Sequence, residues 1–137
     1  MEHSRKKVIF LIDDDKLTNF LNKRIIDRTR LEVEVVDFNN PRVALETLNQ
    51  MAISGHPPLP DIIMLDINMP LMSGWEFVEA YNKLFPKSGT RIFMLSASIA
   101  EQDISLVDKY ANVHGFLAKP FKPELIFEIL EAMILAA

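Results

Sequence analysis

Short apolar runs alternate along this chain with longer segments in which apolar residues recur every three or four positions. The runs are Val8–Ile12, Val33–Phe38, Ile62–Leu65, Ile92–Leu95 and Val113–Leu117. Runs of this kind predict strands buried on both faces, as in a parallel sheet covered by helices. The intervening segments carry Leu17, Phe20, Leu21 and Ile25, then Ala44, Leu45, Leu48 and Met51, then Trp75, Val78, Tyr81 and Phe85. Ile104, Val107 and Ala111 mark a fourth, weaker helix, and Leu125, Ile129, Leu130 and Met133 a fifth. Strand-then-helix units repeated in this way predict an open, doubly wound α/β domain with a five-stranded parallel sheet and five helices.

The punctuation agrees. Asn39-Asn40-Pro41 and Met72-Ser73-Gly74 have the composition of helix starts, and Pro123 suits a first helical turn. Gly55-His56-Pro57-Pro58-Leu59-Pro60 reads as a stiff loop between the second helix and the third strand. There is no internal repeat, and the last helical pattern runs to the carboxyl terminus. The expected organisation is therefore an amino-terminal tail, 1–6, and a single domain, 7–137, with no attached effector domain.

Composition narrows the function. Of 137 residues, 49% are hydrophobic and 25% charged, which is the balance of a globular protein with one core. A net charge of −4 argues against sequence-independent binding to nucleic acid, which needs Lys and Arg to neutralise phosphates. The basic stretch His3-Ser4-Arg5-Lys6-Lys7 is read as a solvated tail. The absence of cysteine excludes disulfides, a thiolate nucleophile and cysteine zinc sites, and His3, His56 and His114 lack ligand spacing. No apolar stretch approaches the roughly 20 residues that span a bilayer, and no signal-peptide core is present, so no membrane partner and a cytoplasmic location are expected.

Asp66 closes the run Ile62–Leu65 and is followed by Ile67-Asn68-Met69-Pro70, while Asp13 and Asp14 follow Val8–Ile12 in the same relation. In open parallel sheets the ligand crevice lies beyond the carboxyl ends of the strands. Asp13, Asp14, Asp66, Ser96 and Lys119 each fall at or just after such an end, so the fold gathers them at one edge. Crowded carboxylates repel one another unless a cation is supplied or their pKa values shift. Mg2+, a hard ion that takes one or two carboxylates and accepts phosphate oxygens, suits that place. A carboxylate can also attack phosphorus to give an acyl phosphate. Lys119 would then offset charge on the phosphoryl oxygens, Ser96 could donate a hydrogen bond to one of them, and the small Ala97 leaves an approach path. Singly, each residue has a plainer reading: Asp15 and Asn68 as helix or turn caps, Ser96 as a strand-end hydroxyl, Lys119 as a surface lysine.

Together, Leu11-Ile12-Asp13-Asp14-Asp15, Met64-Leu65-Asp66-Ile67-Asn68-Met69-Pro70, Met94-Leu95-Ser96-Ala97 and Lys119-Pro120-Phe121 resemble the receiver domain of bacterial two-component response regulators, and the resemblance covers the chain from Lys7 onward. It implies a flavodoxin-like topology and a stand-alone, chemotaxis-type receiver that is a switch or phosphorelay component and not an enzyme. It implies a phosphoacceptor at Asp66, loaded from a phosphohistidine on a sensor histidine kinase or a histidine phosphotransfer protein. Asp13, Asp14 and Asp66, with the backbone carbonyl of Asn68, would hold Mg2+, Asp14 more directly than Asp13. Lys119 matches the family's lysine, and its bond to Pro120 is similar to one that is cis in the family. Ser96 matches the switch hydroxyl. Phe116 stands where relatives have an aromatic, often Tyr, that swings inward; without a hydroxyl its signal must be steric.

By the same resemblance the output surface is the fourth helix, fifth strand and fifth helix, meeting a downstream protein target. The last helix offers a second apolar row, Phe127, Leu130 and Ile134, beside the stripe Ile126, Ile129 and Met133, as a partner or homodimer surface. Asp15 adds an acid where relatives vary, and Asn68 and Ser98 stand where relatives tune acyl phosphate lifetime. Two other classes compete. A haloacid-dehalogenase-type phosphatase needs a second Asp two positions after the nucleophile, where this chain has Asn68. A flavodoxin-like nucleotide or flavin binder wants a phosphate-cradling loop after the first strand, where this chain places Asp13-Asp14-Asp15.

Overall fold

A computed structural model of the chain describes residues 6–55 and 59–135. His3, His56, Pro57, Pro58 and most of the basic stretch lie outside the described residues. The elements run β1 (Lys7–Ile12), α1 (Lys16–Arg28), β2 (Val33–Phe38), α2 (Pro41–Ser54), β3 (Ile62–Asp66), α3 (Gly74–Leu84), β4 (Arg91–Ser96), α4 (Glu101–Val107), β5 (Val113–Ala118) and α5 (Pro123–Leu135). All strand pairs are parallel, in the order β2-β1-β3-β4-β5. The chain therefore moves outward from β1 to β2 and returns past β1 to β3. That reversal sets the ligand crevice between β1 and β3.

Alternating strand residues feed two cores. Phe10, Ile12, Ile63 and Leu65 pack with Leu48, Phe77, Val78 and Tyr81 of α2 and α3. Ile9, Leu11, Ile62 and Met64 pack on the other face with Ile26 of α1 and Ile126, Leu130 and Met133 of α5. Every residue of the central strand β3 is buried, whereas the edge strand β2 exposes Glu34 and Asp37. Side chains anchor the helix starts: Asn40 caps α2 ahead of Pro41, and Ser73 and Glu76 form a reciprocal box at α3.

Three helices present faces other than those expected. In α1 the buried residues are Asn19, Asn22 and Ile26, while Leu17, Phe20 and Leu21 are 62%, 55% and 45% exposed. The cause is polar: the Asn19 amide donates to the carbonyls of Asp13 and Phe38, both at 3.0 Å, pinning that face to the sheet edge. An apolar residue there would remove the donor to the Asp13 carbonyl and leave the Phe38 carbonyl with the Asp13 N–H alone. Helix α4 stops at Val107, short of Ala111; Ile104 is exposed and Asp103 is its buried residue. In α5, Leu130 is fully buried and belongs to the core, so of the second apolar row Phe127, at 38%, reaches the surface most.

Leu130→Ala is accordingly expected to lower stability by about 2–5 kcal/mol in urea denaturation, as for other buried leucines. Phe127→Ala should cost less than about 1.5 kcal/mol, since part of its ring area is already in water. Equal losses in the two variants would show that the burial assigned to α5 is wrong.

Candidate functional site

Asp66 is the last residue of β3 and is buried at the sheet edge. The ladder continues just beyond it, with Ile67 N–H donating to the Leu95 carbonyl at 3.0 Å. The chain then turns: Asn68 N–H donates to Asp66 Oδ1 at 3.2 Å, and Gly74 N–H to the Ile67 carbonyl at 2.8 Å. The start of α3 is thereby drawn against the Asp66 backbone so closely that a Cβ on Gly74 would lie 2.6 Å from the Asp66 carbonyl oxygen.

From the neighbouring strand, Asp13 is fully buried, its N–H bonded to the Phe38 carbonyl and its Oδ1 accepting from Asp15 N–H at 2.9 Å. Asp15 turns away from the site to cap α1, accepting from Leu17 N–H and the Thr18 hydroxyl. The Thr18 hydroxyl first, and Leu17 N–H second, hold the Asp15 carboxyl below its ordinary range. Asp14 is exposed at the mouth. Asp13, Asp14 and Asp66 each place a ligand oxygen within 4.8 Å of the others.

Lys119 comes from the far side of the sheet, just after β5. Its N–H donates to the Ser96 carbonyl at 3.2 Å, and its peptide bond to Pro120 is cis. Its Nζ lies 2.8 Å from Asp13 Oδ2 and 3.1 Å from Asp66 Oδ1, bridging the two buried carboxylates. Burial favours the neutral amine, but Asp13 and Asp66 outweigh it and hold the Lys119 ammonium above its ordinary pKa. Asp66 itself is pushed up to about 6, first by burial and then by the Asp13 charge, with Lys119 opposing.

The acids thus outnumber the single, half-buried ammonium beside them. An all-oxygen donor set with excess negative charge at a solvent-reachable edge fits a hard divalent cation such as Mg2+, and fits zinc or copper poorly.

The remaining expected residues are close but differently engaged. Ser96, buried at the end of β4, is turned onto its own loop, donating to the Ser98 carbonyl and accepting from Ser98 N–H at 3.1 Å. Phe116 is half-buried, edge-on to Trp75 with ring centroids 6.4 Å apart. Two contributors escaped the sequence pattern. Gly74 looked like a helix-start residue; a glycine inside a first helical turn, where it has no capping role, was the available sign of close approach. Asp103, three positions beyond Ala100, has the spacing of a residue that reaches back to cap a helix, and Ala100 N–H does donate to its Oδ2 at 3.1 Å.

Comparison with known proteins places this geometry in context. The model of the response regulator receiver domain family matches residues 9–131. The chemotaxis protein CheY of Thermotoga maritima is 28% identical over 124 residues, covering 90% of this chain and 94% of that protein. A two-component response regulator from Cytophaga hutchinsonii superposes with a TM-score of 0.83 at 28% identity, over 96% of this chain and 98% of the other. The chemotaxis protein CheY4 of Vibrio cholerae superposes with a TM-score of 0.74 at 25% identity, over 94% and 99%.

Proposed function

Since this chain belongs to the response regulator receiver family of two-component signalling, we propose that Asp66 is its phosphoacceptor and that residues 7–137 act as a phosphorylation-driven switch. The observation that carries the proposal is the Lys119 ammonium held between Asp13 and Asp66 at the reversal point of the sheet. The donor is a phosphohistidine on a sensor histidine kinase or a phosphotransfer protein. An Asp66 carboxylate oxygen attacks phosphorus, the P–N bond breaks with its electron pair going to nitrogen, and the donor ring, protonated beforehand on its other nitrogen, leaves as neutral imidazole. Asp13, Asp14, Asp66 and the Asn68 carbonyl would hold Mg2+, which would offset charge on the phosphoryl oxygens. Lys119 pairs with one of those oxygens. Ser96 leaves the Ser98 carbonyl to donate to another, and that rotation is the first movement of the switch.

The exposed row Leu17, Phe20 and Leu21 begins beside the mouth, because α1 starts directly after Asp15, and it gives the donor protein an apolar footing. Output runs through α4, β5 and α5 to a downstream protein, with Phe116 acting sterically. Among the described residues no helix is long and apolar enough to cross a membrane; we place the protein in the cytoplasm, with its kinase. The phosphatase alternative fails chemically: Asn68 cannot protonate a leaving group, and its N–H is bonded to the nucleophile.

With a small-molecule phosphodonor and Mg2+, the intact protein is expected to gain one phosphoryl mass, mapped to the peptide containing Asp66. Excess chelator should suppress the gain. Equal addition with chelator present, or addition elsewhere, would overturn the assignment.

A further inference from the structure

Helix α4 is only seven residues long, Ile104 on it is exposed, and its buried residue is the charged Asp103. Apolar packing therefore holds it weakly. Asp103 divides its two oxygens between tasks: Oδ2 accepts from Ala100 N–H at 3.1 Å, and Oδ1 accepts from the Trp75 indole N–H at 2.9 Å. Trp75 lies on α3, within the core that also takes in Leu106 and Val107, stacked on Tyr110 at 5.9 Å and meeting Phe116 at 6.4 Å. Tyr110 is itself tied to α3 through its hydroxyl and Glu79.

The loop joining Ser96 to α4 is thus pinned at both ends. Ser96 and Ser98 close a turn at its start, and Ala100, Asp103 and Trp75 fix its end to α3. Between them Ala97, Ser98 and Ile99 are exposed. A Ser96 hydroxyl that turns to a phosphoryl group on Asp66 must abandon the Ser98 turn. The displaced backbone then pulls on Ala100 and, through Asp103, on Trp75.

We propose that the Trp75–Asp103 hydrogen bond is a latch that holds the loop and α4 in the unphosphorylated arrangement, so that loading of Asp66 works against it. The inference rests on Asp66 being the phosphoacceptor. A contact made in one conformer and lost in the other biases their populations by its own strength, and a hydrogen bond to a carboxylate is among the stronger ones. Because the indole also contacts Phe116, release of the latch changes the wall against which that ring rests, linking the loop to the output face.

The test uses beryllofluoride, which mimics a phosphoryl group on a carboxylate, titrated with excess Mg2+ by calorimetry. Trp75→Phe keeps an aromatic ring against Tyr110 and Phe116 but removes the donor, and it should reach half-saturation at a concentration about fivefold or more below wild type. Asp103→Asn has one acceptor for two donors, so it loses one tether and should shift in the same direction; it carries the test if Trp75→Phe melts early. Trp75 is the chain's one tryptophan. Its emission in the wild type should change with the same half-saturation as binding. Variants that bind no more tightly than wild type, or emission indifferent to ligand, overturn the latch. A wild type that binds no beryllofluoride overturns the phosphoacceptor reading and the latch with it.

Discussion

Asp66→Asn is expected to take up no phosphoryl group under conditions that load the wild type, and to be the more stable protein at neutral pH without metal. The first effect follows from removing the attacking oxygen anion. The second follows from the charge arrangement, since Asp66 is buried beside Asp13 with the one Lys119 ammonium shared between them. Its pKa rises from 3.8 to about 6, chiefly through burial and then through Asp13. A carboxyl that holds its proton more tightly folded than unfolded makes stability fall as pH rises from about 4 to about 6, and the whole penalty is present above that window.

Asparagine escapes the penalty. The variant should gain on the order of 1–3 kcal/mol at pH 7.5, a shift of several degrees in melting temperature. The advantage should be mostly gone near pH 4, where the folded wild type is protonated and its unfolded form is close to half protonated. Mg2+ should raise the wild type more than the variant, which lacks one ligand charge. Thermal melts from pH 4 to 8, with chelator and with Mg2+, check all three expectations. A pH-independent difference would mean that Asp66 is not held at electrostatic cost.

Gly74→Ala is expected to destabilise the fold by about 3 kcal/mol, at the upper end for overpacking, and to slow phosphoryl loading as well. The added methyl would meet the Asp66 carbonyl oxygen at 2.6 Å, the Ile67 Cα at 2.9 Å and the Met94 Cε at 2.9 Å. The methionine end can move; the two backbone atoms cannot without shifting Asp66 or tilting the start of α3. Stability and chemistry are therefore coupled at this position. Gly89→Ala is the control, because a Cβ there meets nothing within 4 Å. Urea midpoints and loading rates should fall together at Gly74 and stay near wild type at Gly89.

Each of the five runs became one strand; burial on both faces, which leaves little room for polar residues, holds for the central β3, whereas the edge strands β2 and β5 expose Glu34, Asp37 and His114. Helices α2 and α3 followed their apolar rows, with Ala44, Leu48, Met51, Val78 and Tyr81 buried. Helix α1 did not, because periodicity shows that a face exists but not which way it points. Its orientation is decided by Asn19 reaching the Phe38 carbonyl, a contact across 19 positions that local spacing cannot announce. The same limit applies at the site. Strand ends identified Asp13, Asp66 and Lys119, whereas the present engagement of Ser96 with Ser98 depends on a side-chain torsion. The pairing of Trp75 with Asp103 joins helices 28 positions apart and has no sequence signature.

Lys119 has one more consequence, set by its order in the chain. Asp13 and Asp66 are made first, just after β1 and at the end of β3, and the cation that lies between them arrives only after β5. A nascent chain that has not reached Lys119 would hold the two acids without that ammonium between them, so on the reading of Asp66 as phosphoacceptor the receiving site is complete only once the last strand has been made.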